Sequence, residues 1–103
     1  MSDDHIPSLE STYNSALAIL ASAIVSIKEK CAEYHETLYM PIDDQIKVLD
    51  YLVIATDATN ILRPTIIALI ALGKTEYKER LNWLVSILKF MNSTEETIKG
   101  MPS

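Results

Sequence analysis

The chain has 103 residues, enough for one small domain. It carries 9 Lys and Arg against 14 Asp and Glu, which gives a net charge of −5. Proteins that bind nucleic acid need clustered cations to contact the phosphates. Here the arginines are only Arg63 and Arg80, and the lysines are scattered. We therefore predict a single domain over residues 1–103 that binds no nucleic acid.

A long first helix is predicted from Leu9 to Leu38, with Ser8 as its N-cap. Apolar residues recur there at alternating steps of three and four, which places them on one helical face that must be buried. These residues are Tyr13, Leu17, Leu20, Ile24, Ile27, Cys31, Tyr34 and Leu38. A helix of about 30 residues spans about 45 Å, so the pattern predicts an elongated molecule.

The middle of the chain predicts two further helices separated by a proline. The first runs from Ile42 to Leu62 and is apolar around most of its circumference, so we expect other helices on two of its sides. Arg63-Pro64 predicts a break or kink, because proline disfavours helical conformation in the residue before it, and one kinked helix is the alternative to two separate helices. A short aliphatic helix then runs from Thr65 to Leu72, with Gly73 as the stop.

A fourth helix is predicted from Thr75, its N-cap, to Met91. Its heptad pattern comprises Tyr77, Leu81, Leu84, Leu88 and Met91. Ser93 and Glu96 have the spacing of a capping box, which predicts a last short helix that ends at Gly100. The predicted fold is therefore all-α: an elongated antiparallel bundle of four main helices plus a short C-terminal helix.

Three residue pairs have spacings that metal or catalytic sites use. Cys31 and His35 share a helical face, but two ligands do not make a metal site. The carboxylate pairs Glu33 with Glu36 and Glu76 with Glu79 lie near lysines and outside the heptad patterns, which favours solvated faces. We predict no cofactor, no metal and no enzymatic activity, and keep a magnesium-dependent enzyme as the least favoured alternative.

The window from Tyr51 to Leu72 has the length of a membrane span, but it contains Asp57, Asn60 and Arg63. Each central charge is costly in a bilayer, so we predict no membrane span. Asp57 and Arg63, near Asn60, could instead form a half-buried ion pair that fixes the geometry before Pro64; the alternative is that this cluster lines a functional surface. The acidic N-terminus and the single cysteine predict a cytoplasmic protein.

Hydrophobic residues make up 49% of this short chain, which suggests that part of the apolar surface is covered by a partner. We predict a non-catalytic protein-interaction protein of the inhibitor, chaperone or adaptor type. The alternative is a structural subunit of a homo-oligomer. The expected contact residues form an aromatic flank of the fourth helix and the start of the first helix: Trp83, Ile87, Phe90, Leu9, Tyr13 and Leu17.

Overall fold

A computed structural model describes residues 5–34 and 39–101, and helix dominates both ranges. The elements are α1 (His5–Ala32), α2 (Ile42–Ala71), a 3-10 turn (Thr75–Tyr77) and α3 (Lys78–Lys99). No strand occurs within these ranges, so the predicted all-α class is confirmed. The predicted number of helices is wrong, because three α-helices replace four main helices and a short one.

The molecule is elongated, with extents of 55 × 19 × 17 Å and a radius of gyration of 16.2 Å. A compact domain of this length would have a radius of about 13 Å. α1 and α2 are antiparallel, since Lys30 near the end of α1 contacts Asp44 at the start of α2. α3 runs parallel to α1, with Tyr77 against Tyr13 at one end and Phe90 against Lys28 at the other.

α1 begins at His5 rather than at Leu9, and Ser8 is inside the helix instead of capping it. Pro7 is tolerated there because the first turn of a helix does not use its N–H groups in intrahelical bonds. The helix ends at Ala32. Leu38, the last residue of the predicted heptad pattern, lies outside the described residues.

The predicted heptad pattern of α1 faces the core at every described position. Tyr13, Leu20, Ile24 and Ile27 are buried. The remaining described members are partly buried against the same core cluster: Leu17, Cys31 and Tyr34. This face packs mainly on α2, whose own fully buried side chains include Leu62, Ile66 and Leu69. Buried alanines on both helices let the two backbones approach closely: Ala16, Ala23, Ala55 and Ala58.

α2 continues through Pro64 without a break, so the predicted separation into two helices is wrong. Pro64 and Asn60 lie on the same exposed face of α2. Because proline has no N–H, the carbonyl of Asn60 receives no helical hydrogen bond, but it is accessible to water. The opposite face carries Leu62 and Ile66, which are both fully buried. The free energy gained by burying Leu62 and Ile66 exceeds the cost of a proline inside a helix, so α2 continues through Pro64.

The predicted stop at Gly73 is confirmed. Gly73 has a φ of +96°, in the left-handed region that favours glycine. Its N–H donates to the carbonyl of Ile70 at 3.0 Å, and the N–H of Lys74 donates to the carbonyl of Leu69 at 3.0 Å. This pair of hydrogen bonds is a Schellman motif, which satisfies carbonyls at the end of α2.

Replacing Pro64 with Ala is expected to stabilise the protein by about 1–2 kcal/mol. The gain comes from restoring a helical N–H and removing the ring clash, and the greater entropy of the unfolded alanine chain offsets part of it. Urea unfolding of Pro64→Ala, compared with Arg63→Ala as a neighbouring exposed control, measures the change. A lower midpoint for Pro64→Ala than for the unchanged chain would show that the proline fits α2 without cost.

α3 is one helix where a helix and a short successor were predicted. Thr75 opens a 3-10 turn and does not cap α3, which begins at Lys78. Ser93 lies within α3, and its carbonyl accepts a hydrogen bond from the Thr97 hydroxyl at 2.9 Å. The physical reason is that Ile98, seven residues after Met91, occupies the same buried face. A new helix at Ser93 would remove Ile98 from the core.

A polar cluster joins the end of α1 to the start of α2. The Tyr34 hydroxyl donates a hydrogen bond to Asp44, and Lys30 and Lys47 lie 3.7 and 4.0 Å from the same carboxylate. The Tyr34 hydrogen bond, assisted by the two lysines, lowers the pKa of Asp44 below its ordinary value of 3.8. Beside this cluster the buried Gln45 amide donates to the Met40 carbonyl at 2.7 Å.

Replacing Asp44 with Asn is therefore expected to lower the melting temperature at neutral pH. A carboxyl whose pKa is lowered by folding stabilises the protein above its unfolded-state pKa, and this contribution is lost as the pH falls through the folded-state pKa. The difference between Asp44→Asn and the unchanged chain should shrink from about pH 7 to about pH 2.5. Asp57→Asn, at an exposed site, is the control. An equal difference in melting temperature at both pH values would contradict the stabilising role of the Asp44 carboxylate.

Candidate functional site

α2 leaves aliphatic side chains half exposed along one face, although the sequence predicted neighbouring helices on two sides. The exposed fractions are 50% for Ile42, 50% for Ile46, 59% for Val53 and 49% for Ile67. At 3.6 residues per turn these side chains fall within an arc of about 60°. We call Ile42, Ile46, Val53 and Ile67 the outer stripe. α1 packs on the other side of α2 and α3 lies beside the Ile67 end of the stripe, so no described part of the chain covers Ile42, Ile46 or Val53.

An acidic edge runs beside the outer stripe. Asp43, Asp50 and Asp57 recur every seven residues and are all exposed. None of the three forms an ion pair within residues 5–34 and 39–101. The predicted half-buried pair between Asp57 and Arg63 is therefore wrong, because both side chains point to solvent on different edges of α2. The stripe is apolar with a negatively charged border.

A groove between α2 and α3 continues the stripe at its Ile67 end. Its volume is about 360 Å³, and its lining residues are Arg63, Ile67, Leu81, Leu84, Val85 and Leu88. Leu84 forms the floor at 1% exposure, whereas Val85 on the rim is 49% exposed. The groove adjoins the Ile67 end of the outer stripe, and exposed Asn60 lies on the same arc of α2 between Val53 and Ile67.

A second cavity lies between α1 and the start of α3. Its volume is about 380 Å³, and it is lined by Tyr13, Glu76, Tyr77, Glu79, Arg80 and Trp83. We call it the aromatic pocket. The Tyr13 and Tyr77 rings meet edge to face at 81°, with centroids 4.9 Å apart. The Arg80 guanidinium carbon lies 5.1 Å from the centroid of the Trp83 ring, a cation–π contact.

Tyr77 is held in the wall of this pocket by a hydrogen bond. Its hydroxyl donates to the Glu10 carboxylate on α1 at 2.8 Å. Burial, together with this hydrogen bond, raises the pKa of Tyr77 to about 12. The hydroxyl therefore stays protonated near neutral pH and contributes no charge to the pocket.

The structure brings together some of the predicted contact residues and separates others. Tyr13 and Trp83 line the same aromatic pocket, although Tyr13 is only 7% exposed and belongs to the core. The other contact residues expected on α3 are partly buried against the core, and the Lys28 ammonium lies 5.4 Å from the Phe90 ring centroid. On α3 these residues are Ile87 and Phe90. Leu17 on α1 is partly buried against the same core.

Leu9 lies elsewhere, at the end of the bundle where α1 begins and α2 finishes. It lines a shallow cavity of about 400 Å³ with His5, Ser8, Ala68, Ala71 and Leu72. The contact role expected for all six residues stays a prediction. Sequence reasoning missed the outer stripe, because α2 is apolar on too many sides for its pattern to reveal which side lacks a neighbour.

The described residues contain no group of at least three His, Cys, Asp or Glu side chains that could hold a metal ion. Cys31 is half buried, and this burial raises the pKa of its thiol, which disfavours the nucleophilic thiolate. Glu33 pairs with Lys30 at 3.0 Å. His35 and Glu36, the other members of the pairs weighed from the sequence, lie outside the described residues.

Glu76 and Glu79 are both exposed, as expected from the sequence, and they also line the aromatic pocket. Comparisons with known protein families, with curated proteins and with solved structures find no match to this chain.

α2 meets the length and composition criteria for a membrane span, with a mean hydropathy of 1.4 over an 18-residue window that is 39% buried. Core helices of soluble proteins meet the same criteria, so this is weak evidence.

Proposed function

We propose that this chain is a non-catalytic, cytoplasmic protein that binds another protein through the outer stripe of α2. The observation that carries the proposal is the half-exposure of Ile42, Ile46, Val53 and Ile67 on one face of α2, where no described element covers the first three. Exposed aliphatic side chains that share one face of a small protein are typical of interaction sites. About half of the surface of each side chain stays in water in this fold, and a partner that buries it gains hydrophobic free energy.

The occupant we propose is an amphipathic helix of a different protein, with basic residues beside its apolar face. A helix laid along α2 would bury the outer stripe by packing side chains into its grooves. The acidic edge of Asp43, Asp50 and Asp57 would face the flank of that helix. Lysine or arginine at matching spacing on the partner would complement these unpaired carboxylates.

A second copy of the chain fits this surface less well. In a symmetric antiparallel pair of α2 helices, the two acidic edges lie on the same side and face each other. In a parallel pair, the acidic edge of one α2 faces the opposite edge of the other α2, on which Arg63 is the single cation. Like charges in register disfavour association, so charge complementarity favours a foreign basic helix over the homo-oligomer.

The groove between α2 and α3 extends this surface. Leu81, Leu84 and Val85 would accept a large apolar side chain from the partner, next to Ile67. Such a side chain in a pocket is the usual form of a binding hot spot. The contact residues expected on α3 are Trp83, Ile87 and Phe90, which lie on the other flank of that helix. We include them as a second contact region to be tested.

Site-specific photo-crosslinking in the cells that make the protein tests the proposal. A photoreactive residue at Val53 is expected to give one discrete adduct with a different protein. The same residue at Thr12, exposed on α1, is the matched control and should give none. Crosslinks from Ile87 test the second contact region. Adducts at Val53 in multiples of 11.5 kDa would favour the homo-oligomer, and adducts with lipid would contradict a protein partner.

The acidic edge supplies a further test of the same proposal. Reversing charge in the double variant Asp50→Lys, Asp57→Lys should lower the yield of the Val53 adduct about tenfold, because the partner's basic flank then meets lysines. The double variant Glu29→Lys, Glu96→Lys changes the net charge equally at exposed sites away from α2. Equal losses in both variants would show that only net charge matters.

A further inference from the structure

We propose that the aromatic pocket between α1 and α3 binds an organic ammonium group, such as the side chain of a lysine or a small alkylamine. The pocket lies on a different face from the outer stripe, so this inference does not depend on the proposed function. It combines three aromatic rings, those of Tyr13, Tyr77 and Trp83, with carboxylates at the rim.

The rings supply the first part of the argument. The face of an aromatic ring carries negative electrostatic potential, and indole attracts cations most strongly among the side chains. Trp83 already holds a cation, because the Arg80 guanidinium lies over its ring. Tyr13 and Tyr77 add apolar walls that would contact the alkyl stem of an amine, and their edge-to-face contact fixes both rings.

The charges supply the second part. Glu76 and Glu79 line the pocket, and Glu10 lies directly behind the Tyr77 hydroxyl. Arg80 is the one cation among the lining residues. Because the Tyr77 hydroxyl stays protonated, it donates its hydrogen to Glu10 and adds no charge. The surplus of carboxylates favours a cationic ligand and disfavours a carboxylate or a phosphate.

Size limits the ligand further. The cavity volume of about 380 Å³ lies at the lower end of the range of small-molecule sites. A single alkylammonium chain fits such a volume. The inferred ligand is therefore one ammonium-bearing chain, either free or carried on a peptide.

The fluorescence of Trp83 reports binding directly, because Trp83 is the only tryptophan in the chain. At constant ionic strength, n-pentylammonium and Nα-acetyl-lysine amide should each change the emission with a saturable dependence and a Kd on the order of 1 mM. The neutral controls are 1-pentanol and the same lysine derivative acetylated on Nε, which should give no saturable change. Tighter binding of the lysine derivative would assign the ligand to a peptide, and equal binding to a free amine.

Substitutions in the pocket separate a cation site from an anion site. The double variant Glu76→Gln, Glu79→Gln should weaken pentylammonium binding about tenfold. Arg80→Gln should strengthen it, because it removes a competing cation from Trp83; an anion site would instead lose binding in this variant. Glu96→Gln, exposed near the other end of α3, is the matched control. The proposal is overturned by equal titrations with 1-pentanol and pentylammonium, or by no saturable change with either amine.

Discussion

Replacing Leu62 with Ala is expected to lower the free energy of unfolding by about 2–5 kcal/mol. Leu62 is fully buried in the centre of α2, just before the proline that the helix passes through. Removing its side chain loses the transfer free energy of the buried carbons and leaves a cavity that rigid neighbours fill only in part. Domains of this size are stable by about 5–15 kcal/mol, so a large share of the stability would be lost.

The neighbouring residue offers a matched control. Ile61 is 47% exposed on the same turn of α2, and Ile61→Ala should change the free energy of unfolding by about 0.5 kcal/mol or less. Urea unfolding with a shared slope measures both variants. Equal losses for Leu62→Ala and Ile61→Ala would mean that α2 does not present the two faces described above.

Replacing Ala55 with Leu is expected to destabilise the protein by about 1–3 kcal/mol. Ala55 is fully buried on α2, where small side chains allow its neighbours to approach closely. A leucine there forces neighbouring side chains out of their preferred rotamers or pushes the helices apart. The melting temperature of Ala55→Leu, followed by circular dichroism, gives the size of the effect.

Ala18→Leu is the control for this substitution, because Ala18 is exposed on α1 and has room for a larger side chain. It should leave the melting temperature almost unchanged. If Ala55→Leu were as stable as Ala18→Leu, the helices would be packed more loosely than the structure shows.

The course of α1 could be predicted from sequence because its heptad pattern is regular and one-sided. Only its ends were misplaced. The start was placed too late because Ser8 resembles an N-cap, whereas Pro7 fits equally well in the first turn. Gly73 was also predictable, since the left-handed conformation that ends α2 strongly favours glycine.

The breaks predicted at Pro64 and at Ser93 failed for one shared reason. Both rest on local signals, a helix-disfavouring residue and a capping-box spacing. In each case the residues beyond the signal belong to the buried face of the same helix: Ile66 and Leu69 after Pro64, and Ile98 after Ser93. Tertiary burial is worth more than these local preferences, and a sequence without contacts does not reveal it.

The candidate surfaces were predictable only in part. Tyr13 was predicted as part of the heptad pattern of α1 and Trp83 as part of a second flank on α3, but their meeting in one pocket depends on α3 running parallel to α1. Glu76 and Glu79 were correctly predicted to be exposed, but their position beside the aromatic pocket depends on the same packing. The outer stripe depends on where α1 and α3 pack on α2, which no pattern within α2 encodes.

The most direct test of the proposed function is the reactivity of a cysteine placed in the outer stripe. Val53→Cys, in a chain whose only native cysteine is removed by Cys31→Ala, should react readily with a maleimide in the purified protein. Thr12→Cys in the same background is the reference. In intact cells we expect Val53→Cys to react about tenfold more slowly than in the purified protein, corresponding to a site that is covered most of the time. Thr12→Cys should show no such protection. Equal reactivity of Val53→Cys in cells and in the purified protein would show that nothing covers the stripe, and would contradict its role in binding a partner.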